Sequence, residues 1–113
     1  MKYDKDCIFC KIAAGEIPAA KLYEDDKMLV FKDIEPKAKV HLLAIPKNHF
    51  ASLAEMDEER SETVKYMLEK IPEIAAKCGL ENGYRLVINQ GADAGQTVSH
   101  LHMHILGGQT LDW

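Results

Sequence analysis

Long apolar runs and a positive net charge are both absent from this chain of 113 residues. No stretch approaches the ~20 apolar residues of a membrane-spanning helix, and the N-terminus lacks the apolar core of a signal peptide. The formal net charge of -4 argues against broad binding to nucleic acid or to anionic membranes. We therefore expect a cytoplasmic protein. A small phosphate ligand is compatible with this charge, because backbone amides and a few side chains can hold it.

Cysteine is scarce, with Cys7, Cys10 and Cys78 as its three occurrences. An odd number of cysteines without a secretory signal does not indicate a disulfide framework. Cys78 falls within the apolar pattern of a predicted helix, which favours a small core residue. Cys7 and Cys10 have the Cys-x-x-Cys spacing of metal ligands, although two plain thiols at a helix start would have the same spacing. A redox pair is less favoured, since no βαβ pattern surrounds them.

The chain has the size and composition of a single domain over residues 1–113, with 47% hydrophobic and 28% charged residues. A short helix is predicted over 7–15. Apolar runs bounded by turn residues predict five strands, at 21–24, 28–32, 40–45, 84–89 and 98–106.

One long helix is predicted between the third and fourth strands. Asp57 is a suitable N-cap, apolar residues recur at helical spacing as far as Cys78, and Gly79 is a natural stop. Pro72 lies inside this pattern and is expected to kink the helix or to divide it in two. The order of elements predicts an α+β fold, an antiparallel sheet of about five strands with one long helix and a short N-terminal helix.

Three of the five histidines alternate along the last predicted strand, at His100, His102 and His104. In a strand, these three imidazoles would project from one face, and the apolar residues between them would pack on the core. The spacing does not easily close three imidazoles on one metal. A solvated polar face is one interpretation of the pattern. The other is a reaction centre at one imidazole, with neighbours that orient it or move protons.

The loop over 91–99 leads directly into these histidines and contains Gly91, Gly95, Gln96 and Thr97. Glycines allow the backbone to approach an oxyanion closely, and exposed amides form an anion-binding concavity. A plain hairpin connection would have a similar composition. Followed by three histidines, the loop indicates a phosphate site.

The run His100-Leu101-His102-Met103-His104-Ile105-Leu106 resembles the His-x-His-x-His-x-x signature of the histidine-triad (HIT) nucleotide-binding superfamily. The likeness covers nearly the whole chain and extends to the Hint branch, the purine nucleoside phosphoramidases, in a microbial type with Cys-x-x-Cys. Further matching segments are Cys7-Ile8-Phe9-Cys10-Lys11-Ile12, Phe31-Lys32-Asp33-Ile34, Val40-His41-Leu42-Leu43-Ala44-Ile45-Pro46-Lys47, Gly95-Gln96-Thr97-Val98 and Gly107-Gly108.

The resemblance implies a HIT-like fold, a homodimer and a hydrolase. Its expected substrates are purine nucleoside 5′-phosphoramidates or related adenylates, cleaved to nucleoside monophosphate through a covalent nucleotidyl-histidine intermediate on His102. His104 and His41 would lie near the phosphate and the leaving group as charge stabilisers or proton carriers. A backbone carbonyl that accepts the proton of one His102 nitrogen would leave the other free to attack. Alternatives are a dinucleoside polyphosphate hydrolase, a zinc hydrolase, and a nucleotide-binding regulatory module with weak catalysis.

The resemblance also assigns ligand contacts, and it implies no organic cofactor. Asp33 matches the residue that accepts hydrogen bonds from the ribose hydroxyls; without the resemblance it would be interpreted as a loop cap. The positions that match contacts to the base are Phe9, Phe31 and Ile34, and those that match contacts to the phosphate are Asn89, Gln96, Thr97 and the Val98 backbone.

A structural zinc site is the expected use of the cysteine pair. His49 and His100 can complete a Cys₂His₂ tetrahedron with Cys7 and Cys10. Such a site is closed to water, so its zinc would not activate a nucleophile. It would instead tie the N-terminal segment, which carries Phe9, to the histidine strand.

Overall fold

The computed structural model describes residues 2–113, so Met1 of the predicted domain 1–113 lies outside it. A five-stranded antiparallel sheet in the order β1-β2-β3-β5-β4 forms its centre, which confirms the α+β fold. The elements are α1 Ile8–Ala13, β1 Lys21–Glu24, β2 Met28–Lys32, β3 Val40–Pro46, α2 Glu58–Lys77, β4 Tyr84–Val87 and β5 Met103–Gly107. Within residues 2–113, no helix combines the length and the apolar character needed to cross a bilayer.

The inner strands β2 and β3 bury both of their faces, because alternate residues contribute to two separate apolar layers. In β2, Met28 and Val30 pack beneath α2, whereas Leu29 and Phe31 pack on the side of α1. The layer beneath α2 also contains Leu42, Ala44, Met67, Ile71, Ile74, Ala75, Leu80, Met103 and Ile105. The layer beside α1 also contains Cys7, Phe9, Cys10, Ile12, Ala13, Leu43 and Ile45. By the same alternation, His41 on β3 and His104 on β5 face away from α2.

The long helix begins as predicted and is not divided. The Asp57 side chain accepts a hydrogen bond of 2.8 Å from the Arg60 amide, and Gly79 has a φ of +80° just beyond the helix. Of the two outcomes predicted at Pro72, a kink or a division, the division is wrong, since α2 is one helix of 20 residues that contains the proline. Ile71 and Ile74 are buried beneath the helix on either side of this exposed proline. Their packing offsets the backbone hydrogen bond that proline cannot donate.

The predicted histidine strand is wrong in its first half, because β5 begins only at Met103. The neighbouring strand β3 ends at Pro46, which has no N–H for further pairing. Instead, the Leu101 amide donates a hydrogen bond of 2.8 Å to the Phe50 carbonyl in the loop after β3. Of the three alternating histidines, only His104 therefore lies in the sheet.

Candidate active site and metal centre

A cavity of about 680 Å³ opens on the sheet face that α2 does not cover. Its volume lies within the usual range for small-molecule sites. The apolar wall includes Phe9, Ile12, Ile17, Phe31, Ile34 and Leu43. The polar end includes Asp33, His41, Asn89, Thr97, His102 and His104. The cavity thus joins a slot suited to a planar apolar group with a cluster of hydrogen-bonding groups.

The proton position of His102 is defined by the main chain. Its Nδ1 lies 2.7 Å from the His100 carbonyl oxygen, which can only accept, so Nδ1 carries the proton. In the neutral ring, Nε2 then keeps its lone pair. The ring packs edge-to-face against Phe9 with centroids 5.1 Å apart, and the residue is only 8% exposed. His102 is therefore an imidazole of defined orientation that lines the cavity.

His41 on β3 and His104 on β5 form a pair of hydrogen-bonded imidazoles. Leu43 is paired with His104 in the sheet, so His41 lies diagonally across the ladder. His41 Nε2 is 2.9 Å from His104 Nδ1, and the Lys37 amide donates to His41 Nδ1 at 3.0 Å. Because Nδ1 accepts, neutral His41 carries its proton on Nε2 and donates it to His104. The proton of His104 is then on Nε2, the nitrogen that has no hydrogen-bond partner within residues 2–113.

Both rings of this pair are held neutral. Burial lowers the pKa of His41, with the Asp33 carboxylate opposing and Lys37 adding to the effect. Burial is the largest cause, and together with the neighbouring His102 and His41 it lowers the pKa of His104 to about 4. At neutral pH, His41 and His104 are therefore two uncharged imidazoles with defined donors and acceptors.

A second cluster brings together the four residues predicted to bind metal. Cys7 is the N-cap of α1, and the Cys10 amide donates to its sulfur at 3.4 Å. His100 Nδ1 lies 3.3 Å from Cys7 Sγ and 3.6 Å from Cys10 Sγ. His49 Nδ1 lies 3.4 Å from Cys10 Sγ and 3.1 Å from His100 Nδ1. The four side chains thus converge on one point.

These separations fit a tetrahedral zinc site. Zinc bonds of about 2.3 Å to sulfur and 2.0–2.1 Å to nitrogen give tetrahedral edges of about 3.6 Å between sulfur and nitrogen and about 3.3 Å between two nitrogens. His100 Nε2 donates to the Pro46 carbonyl at 2.8 Å, which leaves Nδ1 free as a ligand. Burial raises the pKa of Cys10 to about 11, so a cation is needed to stabilise its thiolate. The donor set is compatible with zinc.

The ligand atoms of Asp33, His41 and His104 also lie close together, but they do not suit a metal. His41 Nδ1 already accepts a hydrogen bond from the Lys37 amide. A metal on Nε2 would therefore require an imidazolate ring with no proton on either nitrogen. In this cluster the His41 proton forms the hydrogen bond to His104, whereas the donor atoms of the cysteine cluster are spaced to bind a cation.

Most of the predicted ligand contacts line the cavity, and one does not. The cavity is lined by seven of these predicted contacts, namely Phe9, Phe31, Asp33, Ile34, Asn89, Thr97 and Val98. Ile34 lies at the rim and is 93% exposed. Gln96 lies outside the lining, because its amide donates to the carbonyls of Ala51 and Val98 and so braces the loop. Lys37 was not predicted. Its role comes from a backbone amide in an irregular loop, and no sequence pattern marks such a donor.

Comparisons with known proteins agree with this geometry. The family described as "Scavenger mRNA decapping enzyme C-term binding" matches residues 6–111. HitA of Neisseria gonorrhoeae is 54% identical over 102 residues, which cover 90% of this chain and 95% of that protein. The chain belongs to the histidine-triad superfamily. Another relative, the "14 kDa zinc-binding protein" of Zea mays, is 44% identical, and the match covers 97% of this chain and 88% of that protein.

Solved structures of HIT proteins have the same fold. A HIT family hydrolase from Legionella pneumophila is 46% identical with a TM-score of 0.92, and the match covers 96% of this chain and 97% of that one. A histidine triad protein from Clostridium difficile is 45% identical with a TM-score of 0.93, over 96% of both chains. The resemblance seen in the histidine signature therefore extends over the whole domain.

Proposed function

We propose that this HIT protein is a hydrolase that cleaves purine nucleoside 5′-phosphoramidates or related adenylates to nucleoside monophosphate, with His102 as nucleophile. The observation that carries the proposal is the hydrogen bond of 2.7 Å from His102 Nδ1 to the His100 carbonyl. It leaves the lone pair of Nε2 available in a neutral ring beside the cavity. Neutral imidazole is a competent nucleophile near pH 7. HIT hydrolases among the similar structures support the reaction class.

The reaction proceeds in two displacements at the α-phosphorus. In the first, His102 Nε2 forms a bond to phosphorus, the bond to the amine breaks, and the amine takes a proton from solvent as it leaves. In the second, water attacks phosphorus, the bond to Nε2 breaks, and the proton of the water returns to solvent. His104, which carries its proton on Nε2, donates a hydrogen bond to the phosphoryl group and stabilises its charge.

The cavity supports binding of a nucleotide. Phe9 and Phe31 lie edge-to-face with centroids 5.7 Å apart and form an apolar slot for the base. Few polar groups in this slot can read a base edge, which favours loose recognition of purines. Asp33 is an acceptor for ribose hydroxyls, and Asn89 and Thr97 are polar groups for the phosphate.

Turnover of adenosine 5′-phosphoramidate, followed as release of AMP, tests the proposal. We expect turnover by the wild type and a loss of at least a thousandfold in His102→Ala, because covalent catalysis is then impossible. Asn48→Ala serves as a control, since Asn48 is exposed and is not among the residues that line the cavity. Equal activity of wild type and His102→Ala would remove the nucleophile assignment.

The cysteine cluster is proposed to hold a structural zinc ion. Cys7, Cys10, His49 and His100 supply four protein ligands, which leave no position for a reactive water. Zinc bound there would link α1 to the segment that precedes β5. Phe9 in α1 contacts both His100 and His102, at centroid distances of 5.9 and 5.1 Å. The ion would therefore support the nucleophile through this packing and through the His100 carbonyl, to which His102 Nδ1 donates.

We also propose a homodimer, in which two copies of β4 pair along their free edges. β4 lies at the edge of the sheet, and all its residues, Tyr84–Val87, are half-buried. An edge strand leaves backbone donors and acceptors unpaired, and a second copy can satisfy them. Light scattering in solution should give twice the mass of one chain. The mass of a single chain would contradict this arrangement.

A further inference from the structure

The Nε2–H of His41 donates a hydrogen bond to His104, and the Asp33 carboxylate lies beside the same nitrogen without accepting a hydrogen bond from it. His104 Nδ1 lies 2.9 Å from His41 Nε2, and Asp33 Oδ2 lies 3.3 Å from the same nitrogen. The Lys37 amide occupies His41 Nδ1, so Nε2 carries the only proton of the neutral ring. One proton cannot form two full hydrogen bonds, and a carboxylate is a strong acceptor. The negative charge of Asp33 therefore attracts the His41 proton away from the direction of His104 Nδ1.

The orientation of the Asp33 carboxylate determines which of its two oxygens faces His41. Its Oδ1 accepts a hydrogen bond of 2.8 Å from the Glu35 amide. Its Oδ2 is the oxygen that faces His41, and the carboxylate also lines the cavity. The side chain is 17% exposed, whereas that of His41 is 1% exposed. A ligand hydroxyl that donates to Oδ2 would thus reach it from the cavity and reduce its hold on the His41 proton.

We propose that the ribose hydroxyls of the nucleotide, by donating to Asp33 Oδ2, strengthen the hydrogen bond that His41 already donates to His104 and so hold His104 Nε2–H in place for the phosphoryl group. The inference rests on the proposed function, since it requires a ribonucleotide in the cavity. Asp33 then acts as a positioning residue as well as a binding contact. Ribose recognition raises the rate of the chemical step in addition to lowering KM, because part of its binding energy appears only when His104 is oriented.

Single-turnover kinetics with adenosine 5′-phosphoramidate and its 2′,3′-dideoxy analogue test this coupling. At saturation, we expect the wild type to release the amine about tenfold faster from the ribonucleotide, because a misaligned hydrogen-bond donor costs part of the 10²–10³ that a full donor provides. If hydroxyl removal changes only the concentration needed for saturation, Asp33 is a simple binding contact and the coupling is wrong.

Asp33→Asn provides the decisive comparison. The Glu35 amide must still donate to the side-chain oxygen, so the amide group of asparagine replaces Oδ2 opposite His41. That group cannot accept the His41 proton, which leaves His104 as its only acceptor. We expect the rate ratio between the two substrates to fall to about one in this variant. Glu35→Gln removes a neighbouring carboxylate and should keep the wild-type ratio. A ratio that persists in Asp33→Asn overturns the proposal.

A measurement without catalysis separates this inference from the proposed function. In ¹⁵N spectra of histidine-labelled wild type, saturating adenosine should shift the His104 Nδ1 signal in the direction of a stronger accepted hydrogen bond, and 2′,3′-dideoxyadenosine should not. If the phosphoramidate is not turned over but adenosine gives this change, the proposed function fails and the coupling stands. If adenosine leaves the His104 signals unchanged, the coupling is wrong whatever the enzyme hydrolyses.

Discussion

At the scale of the residue, backbone groups decide which nitrogen of each imidazole can react. The His100 carbonyl fixes the proton of His102, the Lys37 amide fixes that of His41, and the Pro46 carbonyl fixes that of His100. The side chains are chemically alike. Their different environments make one a proposed nucleophile, one a hydrogen-bond donor to its neighbour and one a candidate metal ligand.

Asp25 provides a prediction at this scale, since it joins the β1–β2 turn to α2. Burial, the largest single influence, raises the pKa of its carboxyl. Hydrogen bonds from the Tyr66 hydroxyl, the Lys27 amide, the Tyr23 hydroxyl and the Met28 amide together outweigh it and lower the pKa to about 2. A lowered acid pKa means that the stabilisation is complete above the ordinary value of 3.8 and is lost as the pH falls toward 2.

We expect Asp25→Asn to lower the free energy of unfolding by about 1–2 kcal/mol at pH 7, after allowance for solvent screening at this partly exposed site. Urea titrations at pH 7 and pH 3 measure the effect. The difference from wild type should shrink at pH 3, where the unfolded wild-type carboxyl becomes protonated. The exposed neighbour, in Asp26→Asn, should change stability little. A difference that is the same at both pH values would contradict the pKa assignment.

At the scale of the element, apolar patterns predicted which helices and strands form more accurately than they predicted where each one begins and ends. The bounds of β1 and β2 agree with the predicted 21–24 and 28–32. The long helix and its Asp57 cap agree as well, because both depend on local sequence. The histidine strand was predicted too long, because its first half has no paired neighbour beyond Pro46. Alternation within a sequence cannot show where the partner strand stops.

Pro72 in α2 supports a prediction about stability. The proline lies in the exposed interior of a 20-residue helix, where it removes one backbone hydrogen bond. We expect Pro72→Ala to raise the free energy of unfolding by roughly 1–3 kcal/mol, as measured from the urea midpoint. The loop substitution Pro36→Ala should have the opposite sign and a smaller size. A Pro72→Ala variant that is no more stable than wild type would show that the helix needs the proline.

At the scale of the whole molecule, the cysteine cluster joins three distant parts of the chain. Cys7 and Cys10 come from the start of α1, His49 from the loop after β3, and His100 from the segment before β5. The same segment carries His102 toward the cavity. Metal binding is therefore expected to stabilise the fold and the site together.

Metal analysis of purified protein tests this expectation. We expect about one zinc ion per chain in the wild type, near zero in Cys7→Ser/Cys10→Ser, and a lower Tm in the double variant. Cys78→Ser is a matched control, since this half-buried thiol lies outside the cluster. A metal-free wild type that folds and melts normally would remove the zinc site. Activity that survives in folded, metal-depleted protein would exclude a catalytic metal.

The sequence by itself determined the α+β fold and most of the elements, and it singled out the residues that we propose to carry the chemistry, because periodicity and residue type are local properties. It also indicated that His49 and His100 join Cys7 and Cys10. Only the tertiary structure decided the proton positions, the place of Asp33 beside His41 and the use of Gln96 as a loop brace. These depend on backbone groups from distant segments, whose distances the folded chain sets.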